Sequence, residues 1–355
     1  MPELVPVIRS DAHLAHTGLI ELASGVEIPC FESPERITAI EAALTTDGGF
    51  AFEAPAEHGR GPILAVHDPE VVEVFEHAWA DALAAGGDGS RPWFPDTFLL
   101  ASYRGPMPPG QLPSGARHKL GAYLFDTATP IVAGTWGAAL AAVDVAVTTA
   151  ERVVGGTRLA YGLCRPPGHH AARGMLGGYC YFNNAAIVAE WLRREGGARQ
   201  VAIVDIDYHH GNGTQQIFWE RGDVLYLSLH ADPARAYPYF SGYAAETGGG
   251  YGVGMNRNWP LAAGTTLDGY ATALAEALRM VAEFAPDAPL VLSAGFDTFE
   301  HDPIGDLGLR TEDYAEIGRM IGGLRMPTIV LQEGGYAVDA LGANAVALLS
   351  GLRGG

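Results

Sequence analysis

The sequence predicts a single α/β domain in which helices cover both faces of a mainly parallel β-sheet. From about residue 157 onward, short apolar segments alternate with segments of helical periodicity, and strand–helix–strand alternation is typical of parallel sheets. Hydrophobic residues make up 48% of the 355 residues, which is enough for a large core. Because neither a linker composition nor an internal repeat is visible, residues 1–355 are predicted to form one domain.

The first half of the chain contains predicted helices and one long loop. The pair Ser33-Pro34 is typical of a helix start, with an N-cap residue followed by proline in the first turn. The predicted helices span residues 34–43, 69–85 and 136–154. Residues 103–118 are rich in proline and glycine and predict an exposed loop. Loops of this length are usually functional or interfacial.

The second half supplies most strands of the predicted sheet. They lie at residues 159–164, 201–206, 224–230, 290–294 and 328–332. Helical periodicity spans residues 184–194, 267–284 and 311–324. Thr311 is a candidate N-cap, because two acidic residues follow it where negative charge favours a helix start.

Polar motifs follow four of these strands where each strand ends. They are the segment 165–170, the pair Asp207 and His209, Asp297, and the segment 333–336. In open parallel sheets, ligands bind beyond the carboxyl ends of the strands. We therefore expect the four segments to meet at one edge of the sheet.

Asp207, His209 and Asp297 are the predicted metal ligands. Asp205, Asp207 and His209 occupy every second position, so they share one face while the strand stays extended. Two carboxylates and an imidazole with an open coordination position suit a catalytic divalent metal. Zinc lowers the pKa of a water ligand to ~7 and polarises a carbonyl group, which suits amide hydrolysis. Alternatively, Asp207 caps a helix and His209 is an ordinary loop histidine.

His169 and His170 are candidates for proton transfer, and Tyr336 is a candidate for oxyanion stabilisation. A histidine can take a proton from water and return it to a leaving amine near neutral pH. Asp205 and Asn212 are available to fix the other ring nitrogen. The phenol of Tyr336, which follows two glycines, could hydrogen-bond a carbonyl oxygen. Taken alone, these motifs also fit a histidine pair in a turn and a core tyrosine.

Aromatic residues in two loops are candidates for the walls of a channel. Tyr179 lies in a glycine–aromatic segment, and Tyr237 follows the strand predicted at 224–230. Both could line a narrow apolar passage to the metal. Packing in the core or on a surface loop is the alternative for each.

Charge and cysteine content argue against several classes of protein. The net charge of −19 opposes nucleic-acid binding, which relies on basic clusters. The three cysteines form neither a CxxC motif nor a disulfide framework. No apolar run approaches the ~18 residues of a membrane helix, and no secretory signal is visible. We expect a cytoplasmic protein without nucleic-acid or membrane partners.

Five motifs in order resemble those of the arginase–deacetylase superfamily, specifically its histone deacetylase-like branch. They are RPPGHH, GGYCYFNN, DIDYHHGNGT, SAGFDTFEHDP and QEGGY. Over nearly the whole chain, the sequence is most similar to bacterial acetylpolyamine amidohydrolases. The resemblance implies an eight-stranded parallel sheet and an enzyme that hydrolyses acetyl or short-acyl amides of small amines, such as acetylpolyamines or acetyl-lysine-like substrates.

The resemblance also implies two bound metal ions, one catalytic and one structural. Zinc, with Fe²⁺ as an alternative, would be held by Asp207, His209 and Asp297. A structural potassium ion would be bound largely by backbone carbonyls. Its implied neighbours are Asp205, Asp207, His209, Ser228 and Leu229.

Roles for the catalytic residues follow from the same resemblance. His170 would be the main general base and acid, with His169 as its electrostatic companion. Tyr336 would polarise the carbonyl group of the substrate. Asp205 would orient His169, and Asn212 would orient His170.

The substrate implied by the resemblance is a small acylated amine, bound by a homodimer in which the loop at 103–118 narrows the channel. Glu21 falls where a glutamate recognises a distant ammonium group, and Ile304 is a further predicted substrate contact. Arg117 stands where a second acidic residue is expected, and its charge should repel a polyamine tail. A neutral or anionic acylated amine is therefore the alternative substrate.

Two other functions fit the sequence less well. An arginase-type ureohydrolase needs more carboxylates around a second manganese ion, whereas His169, His170 and Tyr336 fit a mononuclear site better. A catalytically silent binding protein on the same scaffold is the other alternative, although every expected catalytic position is filled.

Overall fold

The computed structural model describes residues 4–23, 25–100 and 112–355. The strands are β1 (Val5–Ile8), β2 (Ile20–Ala23), β3 (Val26–Pro29), β4 (Phe50–Glu53), β5 (Leu159–Gly162), β6 (Val201–Asp205), β7 (Val224–Ala231), β8 (Asn256–Leu261), β9 (Leu290–Ala294) and β10 (Thr328–Gln332). β2 and β3 form an antiparallel hairpin. The other eight form one sheet in the order β4-β1-β5-β10-β9-β6-β7-β8. Every pairing in that sheet is parallel, which confirms the predicted α/β class.

Helices cover both faces of the sheet. They are α1 (Pro34–Asp47), α2 (Gly61–Leu64), α3 (Pro69–Ala84), α4 (Ala116–Lys119), α5 (Thr135–Val154), α6 (Asn184–Arg194), α7 (Asn212–Phe218), α8 (Leu267–Phe284), α9 (Thr311–Gly322) and α10 (Val338–Gly354). α1, α8, α9 and α10 pack on one face with Val204 and Leu292. α3, α5 and α6 pack on the other with Ile203 and Val291. Strands buried on both faces have continuous apolar sequences, which explains why the central strands were predictable.

Several predicted elements coincide with the structure, and others differ at their ends. The strands at 290–294 and 328–332 and the helices at 184–194 and 267–284 match β9, β10, α6 and α8. β5 ends at Gly162, α1 continues to Asp47, and α9 ends at Gly322. Among the described residues, no helix is long and apolar enough to cross a bilayer.

The predicted N-cap of α9 is wrong by one residue. Thr311 is the first helical residue, and the N-cap is Arg310. The Asp313 carboxylate accepts the backbone N–H of Arg310 at 2.9 Å, so an acidic side chain still satisfies a donor at this helix start. The Thr311 hydroxyl instead donates to Asn344 at 2.7 Å.

The sequence did not predict β1, β4, β8 or the hairpin. β1 and β4 have four residues each, and β1 contains a proline. β8 contains three polar residues and Pro260, a composition that is tolerated at the edge of a sheet. Both β4 and β8 are edge strands. Residues 103–111 of the predicted proline- and glycine-rich loop lie outside the described residues, and the chain enters α4 at Ala116.

Candidate metal centre and active site

The candidate site lies at the carboxyl ends of four adjacent strands. β5, β10, β9 and β6 are neighbours in the sheet, and the segment after each carries predicted site residues. Because the strands are parallel, these segments emerge at the same edge. Residues more than a hundred positions apart in the chain therefore come into contact.

Asp207, His209 and Asp297 converge on one point. A ligand atom of each lies within 4.8 Å of the others. Nδ1 of His209 is 3.1 Å from Oδ2 of Asp297 and 3.3 Å from Oδ1 of Asp207. All three residues are buried. Two carboxylates and one imidazole nitrogen form a donor set that suits zinc or another divalent metal.

The ligands are oriented by backbone groups of neighbouring loops. The N–H of Tyr208 donates to Oδ1 of Asp297 at 2.9 Å, and the N–H of Gly334 donates to Oδ2 of Asp207 at 2.7 Å. A Cβ at residue 334 would lie 2.3 Å from Oδ2 of Asp297, so this position requires glycine. Hydrogen bonds of this kind fix ligand geometry before a metal binds.

The electrostatics of the three ligands also favour a cation. Burial and the charge of Asp207 raise the pKa of Asp297 to about 7. Burial disfavours the charged form of His209, but its hydrogen bonds with Asp207 and Asp297 raise its pKa to about 9. Two buried carboxylates this close repel each other unless positive charge lies between them. The residues therefore fit a divalent cation.

The backbone turns immediately after Asp205, so the expected extended face is not formed. The Asp205 carboxylate accepts the N–H of Asp207 at 3.2 Å, and the Asp207 carboxylate accepts the N–H of His209 at 2.8 Å. Short-range side-chain bonds of this type produce turns instead of strand pairing. Asp207 and His209 face Asp297, whereas Asp205 faces His169.

His169 and His170 are each held by a different partner. Nδ1 of His169 donates to Oδ2 of Asp205 at 3.1 Å. Nδ1 of His170 donates to Oδ1 of Asn212 at 2.7 Å. The two rings lie 4.1 Å apart between centroids. Because Nδ1 carries the proton in His170, its Nε2 is free to accept one.

The two histidines have opposite pKa shifts. Burial disfavours charge on both, but Asp207 and Asp205 raise the pKa of His169 to about 10. Burial lowers the pKa of His170 well below its ordinary value, and the neighbouring His169 and His209 add to this shift. A pair of titratable groups whose pKa values are pushed apart can divide acid–base roles. These shifts favour a neutral His170, which can accept a proton, beside a positively charged His169.

Asn212→Asp tests this division of roles. A carboxylate beside Nδ1 of His170 favours the protonated ring, so we expect the acidic limb of the kcat/KM profile to move up by about 1–2 pH units. The measurement is kcat/KM from pH 5 to 9 with an uncharged acylated amine. The conservative variant Asn212→Gln serves as the control for disturbed packing. An acidic limb that stays in place in Asn212→Asp would contradict a base role for His170.

Tyr336 is buried beside the metal ligands and keeps its proton. Burial raises its pKa well above the ordinary value of a phenol, although Arg36 opposes the shift. The Arg36 guanidinium carbon lies 4.7 Å from the Tyr336 ring centroid. The Asp302 carboxylate accepts the backbone N–H of Tyr336 at 2.7 Å. The ring is therefore held in place, and its hydroxyl is a protonated hydrogen-bond donor at neutral pH.

A buried ionic cluster of Arg36, Glu32 and Arg165 holds the catalytic loops. Oε1 of Glu32 accepts from Arg36 at 2.9 Å and from Arg165 at 2.8 Å. Arg36 also donates to the carbonyl groups of Gly335 at 2.7 Å and Glu333 at 2.6 Å. Burial opposes ionisation of Glu32, but the two arginines lower its pKa below the ordinary value. The cluster joins the chain before α1 to the loops after β5 and β10.

Glu333 is a structural member of the site that sequence reasoning did not assign. Its Oε2 accepts the backbone N–H groups of Gly168 at 2.7 Å and His169 at 3.2 Å. Its Oε1 accepts the hydroxyl of Ser293 at 3.1 Å. Burial raises its pKa to about 7. In the sequence, the position of Glu333 directly after β10 and three residues before Tyr336 could have indicated that it belongs to the site.

A cavity of about 520 Å³ reaches the metal ligand His209. This volume suits a small-molecule ligand. The predicted site residues that line it are Glu21, His170, Tyr179, His209, Tyr237, Ile304 and Tyr336. The Tyr179 hydroxyl donates to Glu21 at 2.8 Å. Both predicted aromatic walls therefore lie on the same cavity.

Of Arg117 and the implied potassium neighbours, His209 alone lines this cavity among the described residues. In the part of the chain that the structure describes, Arg117 does not line the cavity. Its guanidinium carbon lies 6.0 Å from the ring centroid of Trp93. Ser228 pairs with Asp205 across β7 and β6, and Leu229 follows it in β7.

A family model, curated relatives and a solved structure all relate this chain to deacetylases. The model of the family described as "Histone deacetylase domain" matches residues 30–352. The chain is 45% identical to acetylpolyamine amidohydrolase 1 of Pseudomonas aeruginosa, with 98% of each chain covered. It is 41% identical to the acetylpolyamine amidohydrolase of Mycoplana ramosa, covering 98% of this chain and 99% of the relative. A crystal structure of acetylpolyamine aminohydrolase from Burkholderia pseudomallei superposes with a TM-score of 0.90 at 36% identity, with 98% of each chain covered.

Proposed function

Because this chain belongs to the histone deacetylase domain family, we propose that it is a zinc-dependent amidohydrolase that removes acetyl or other short acyl groups from small amines. One observation carries the proposal: Asp207, His209 and Asp297 converge on one point, and His209 lines the same cavity as His170 and Tyr336. The hydroxyl and imidazole groups needed for amide hydrolysis thus face the same small space.

Each catalytic side chain has a distinct task in the proposed mechanism. Bound at the three ligands, zinc would supply Lewis-acid polarisation of the scissile carbonyl group. Nε2 of His170 takes the proton of the attacking water and then delivers it to the leaving amine. The Tyr336 hydroxyl donates a hydrogen bond to the carbonyl oxygen as negative charge develops there. His169, charged and held by Asp205, stabilises that negative charge from the side.

The identity of the ions is part of the proposal. Zinc suits an Asp-His-Asp donor set with an open position, and Fe²⁺ is the alternative metal. We also propose the structural potassium ion near Asp205, Ser228 and Leu229. The register of β6 and β7, which places Asp205 beside Ser228, supports it. The metal requirement is tested by removing metal with a chelator and restoring activity with Zn²⁺ or Fe²⁺.

Acetylated polyamines are the proposed substrates. The amidohydrolases named above carry that substrate in their names, and the net charge of −19 favours a cationic ligand. The Glu21 carboxylate lines the cavity, where it can receive an ammonium group. The test is turnover of acetylputrescine, acetylspermidine and neutral N-butylacetamide by metal-quantified protein. A protein that hydrolyses none of the three amides would contradict the proposal.

Glu21→Gln separates charge recognition from chemistry. We expect kcat/KM for acetylspermidine to fall by about 5- to 10-fold relative to N-butylacetamide, because one ion pair is lost at the mouth of the site. The ratio of the two substrates is the measurement, since it cancels changes in metal content. An unchanged ratio would show that Glu21 does not bind the ammonium group.

Arg117→Glu is the companion variant. Arg117 stays a predicted substrate contact, and a neutral or anionic amide is the substrate that its charge favours. Since Arg117 does not line the cavity of its own chain, an effect on substrate choice requires a second subunit that brings it to the mouth. The proposed homodimer thus predicts a higher acetylspermidine preference in Arg117→Glu. A strong polyamine preference that this variant leaves unchanged would contradict the contact.

The remaining alternatives receive less support. A binuclear manganese site needs further carboxylates, and among the described residues Asp207, His209 and Asp297 form the one group of metal-ligand type.

A cytoplasmic location is proposed because Cys30, Cys164 and Cys180 are free and buried, which suits a reducing compartment.

A further inference from the structure

Asp126 lies beside the channel and belongs to neither the metal ligands nor the proton-transfer residues. Its Oδ2 accepts the backbone N–H of Gly178 at 2.7 Å and the hydroxyl of Tyr237 at 2.6 Å. Its Oδ1 accepts the N–H of Ala128 at 3.1 Å and the hydroxyl of Thr129 at 3.2 Å. A single carboxylate therefore joins three loops at the wall of the cavity.

The Gly178–Tyr179 bend depends on these acceptors. Gly178 has a φ of 56° and Tyr179 has a φ of 66°, a left-handed conformation that tyrosine rarely adopts. The N–H of Tyr179 donates to Oγ1 of Thr129 at 3.1 Å. Asp126 and Thr129 thus satisfy two successive N–H groups of the bend. A Cβ at residue 178 would lie 2.3 Å from Cδ2 of His170, so the bend rests directly against the base.

Besides the Gly178–Tyr179 bend, Asp126 also holds the Tyr237 ring at the cavity wall. Its centroid lies 5.0 Å from that of His170 and 6.0 Å from that of His209. Without the hydrogen bond to Asp126, the ring would be restrained by packing alone. The hydroxyl bond therefore fixes the distance between the channel wall and the histidines.

We propose that Asp126 is a positioning residue that locks Tyr237 and the Gly178–Tyr179 bend against His170. The inference rests on the proposed hydrolase function and adds a determinant of channel width to it. Direct binding of a substrate ammonium group is the competing role. Both oxygens of Asp126 already accept two hydrogen bonds each, which uses the acceptor capacity of a carboxylate. Positioning is therefore the role that the contacts favour.

The test compares Asp126→Ala, Asp126→Asn, Tyr237→Phe and the double variant Asp126→Ala/Tyr237→Phe. We expect Asp126→Ala to lower kcat/KM by about 10- to 100-fold, because small displacements of catalytic groups have effects of this size. The loss should be equal for acetylputrescine, acetylspermidine and N-butylacetamide. Asp126→Asn should recover most of it, since an amide oxygen still accepts the N–H of Gly178. In the Tyr237→Phe background, Asp126→Ala should cost less than it does alone.

Two further measurements separate positioning from folding and from the proposed function. Metal content and melting temperature are recorded for each variant, and Tyr243→Phe, which removes an exposed hydroxyl bonded to the carbonyl group of Tyr239, is the control. The affinity of an alkyl hydroxamate for the metal-loaded protein reports wall position without turnover, and we expect it to fall in Asp126→Ala. If that variant does not fold, a lower kcat/KM in Tyr237→Phe supports the inference and an unchanged one overturns it.

Other outcomes are equally decisive. Wild-type kinetics in Asp126→Ala would overturn the inference. So would a loss confined to cationic substrates that Asp126→Asn does not recover, because that pattern indicates charge recognition. A wild-type protein that hydrolyses none of the amides contradicts the proposed function instead, and hydroxamate affinity then still tests the position of the wall.

Discussion

We expect Asp297→Asn to lose the bound metal and nearly all turnover. The substitution keeps the size of the side chain and an oxygen for the N–H of Tyr208, but it removes one of two anionic ligands. Loss of a hydrogen bond outside the ligand set commonly lowers metal affinity or activity by about 10–100-fold, so loss of a ligand should exceed 100-fold. Metal analysis after gel filtration, together with kcat on N-butylacetamide, measures both effects.

The melting temperature of Asp297→Asn shows whether a loss of activity comes from misfolding. In the wild-type protein without metal, burial and the charge of Asp207 raise the pKa of Asp297 to about 7, so a negative charge at this position is unfavourable. A neutral amide avoids that charge, so metal-free Asp297→Asn should melt no lower than metal-free wild type. Added Zn²⁺ should raise the melting temperature of wild type only, since a ligand stabilises the state that binds it. Full metal occupancy in Asp297→Asn would contradict the assignment of the site.

We expect Tyr336→Phe to lower kcat by about 10²–10³-fold while the metal stays bound, as is found when one oxyanion donor is removed. The ring can keep its place, because Asp302 holds its backbone and Arg36 lies over its face. Only the protonated hydroxyl is lost. KM should change little, since the hydrogen bond strengthens in the transition state.

Tyr179→Phe is the matched control for Tyr336→Phe. The two rings are 5.8 Å apart between centroids, but the Tyr179 hydroxyl is already bonded to Glu21. Its removal should therefore affect KM for cationic substrates and leave most of kcat. Equal losses of kcat in the two variants would show that the effect comes from altered packing in the channel and not from oxyanion stabilisation.

The central strands and the residues that follow them were predictable from the sequence for a physical reason. β9 and β10 are buried on both faces, so their sequences are mainly apolar, and polar motifs follow their ends. Parallel strands then bring Asp207, Asp297 and Tyr336 to one edge without further information. The edge strand β8 lacks that signal: in the part of the chain that the structure describes it pairs with β7 alone, and it carries the buried polar residues Asn256 and Asn258.

The supports of the site were not predictable, because they depend on contacts between distant segments. Arg36 lies in a helix that the sequence indicates, but nothing in its neighbourhood shows that it donates to the carbonyl groups of Gly335 and Glu333. Asp126 and Asp302 are single acidic residues in loops, where solvent exposure is the usual expectation. Their roles follow from the tertiary structure alone.

The buried cluster of Arg36, Glu32 and Arg165 ties the amino-terminal part of the chain to the loops after β5 and β10, which carry His169, His170 and Tyr336. If the segment before α1 that carries Glu32 detached, the guanidinium groups of Arg36 and Arg165 would lose their shared counter-charge, a state that is strongly unfavourable for buried groups. Docking of the first strands and assembly of the catalytic loops should thus be inseparable events. Enzyme activity then reports the integrity of the entire molecule, including parts that never touch the substrate.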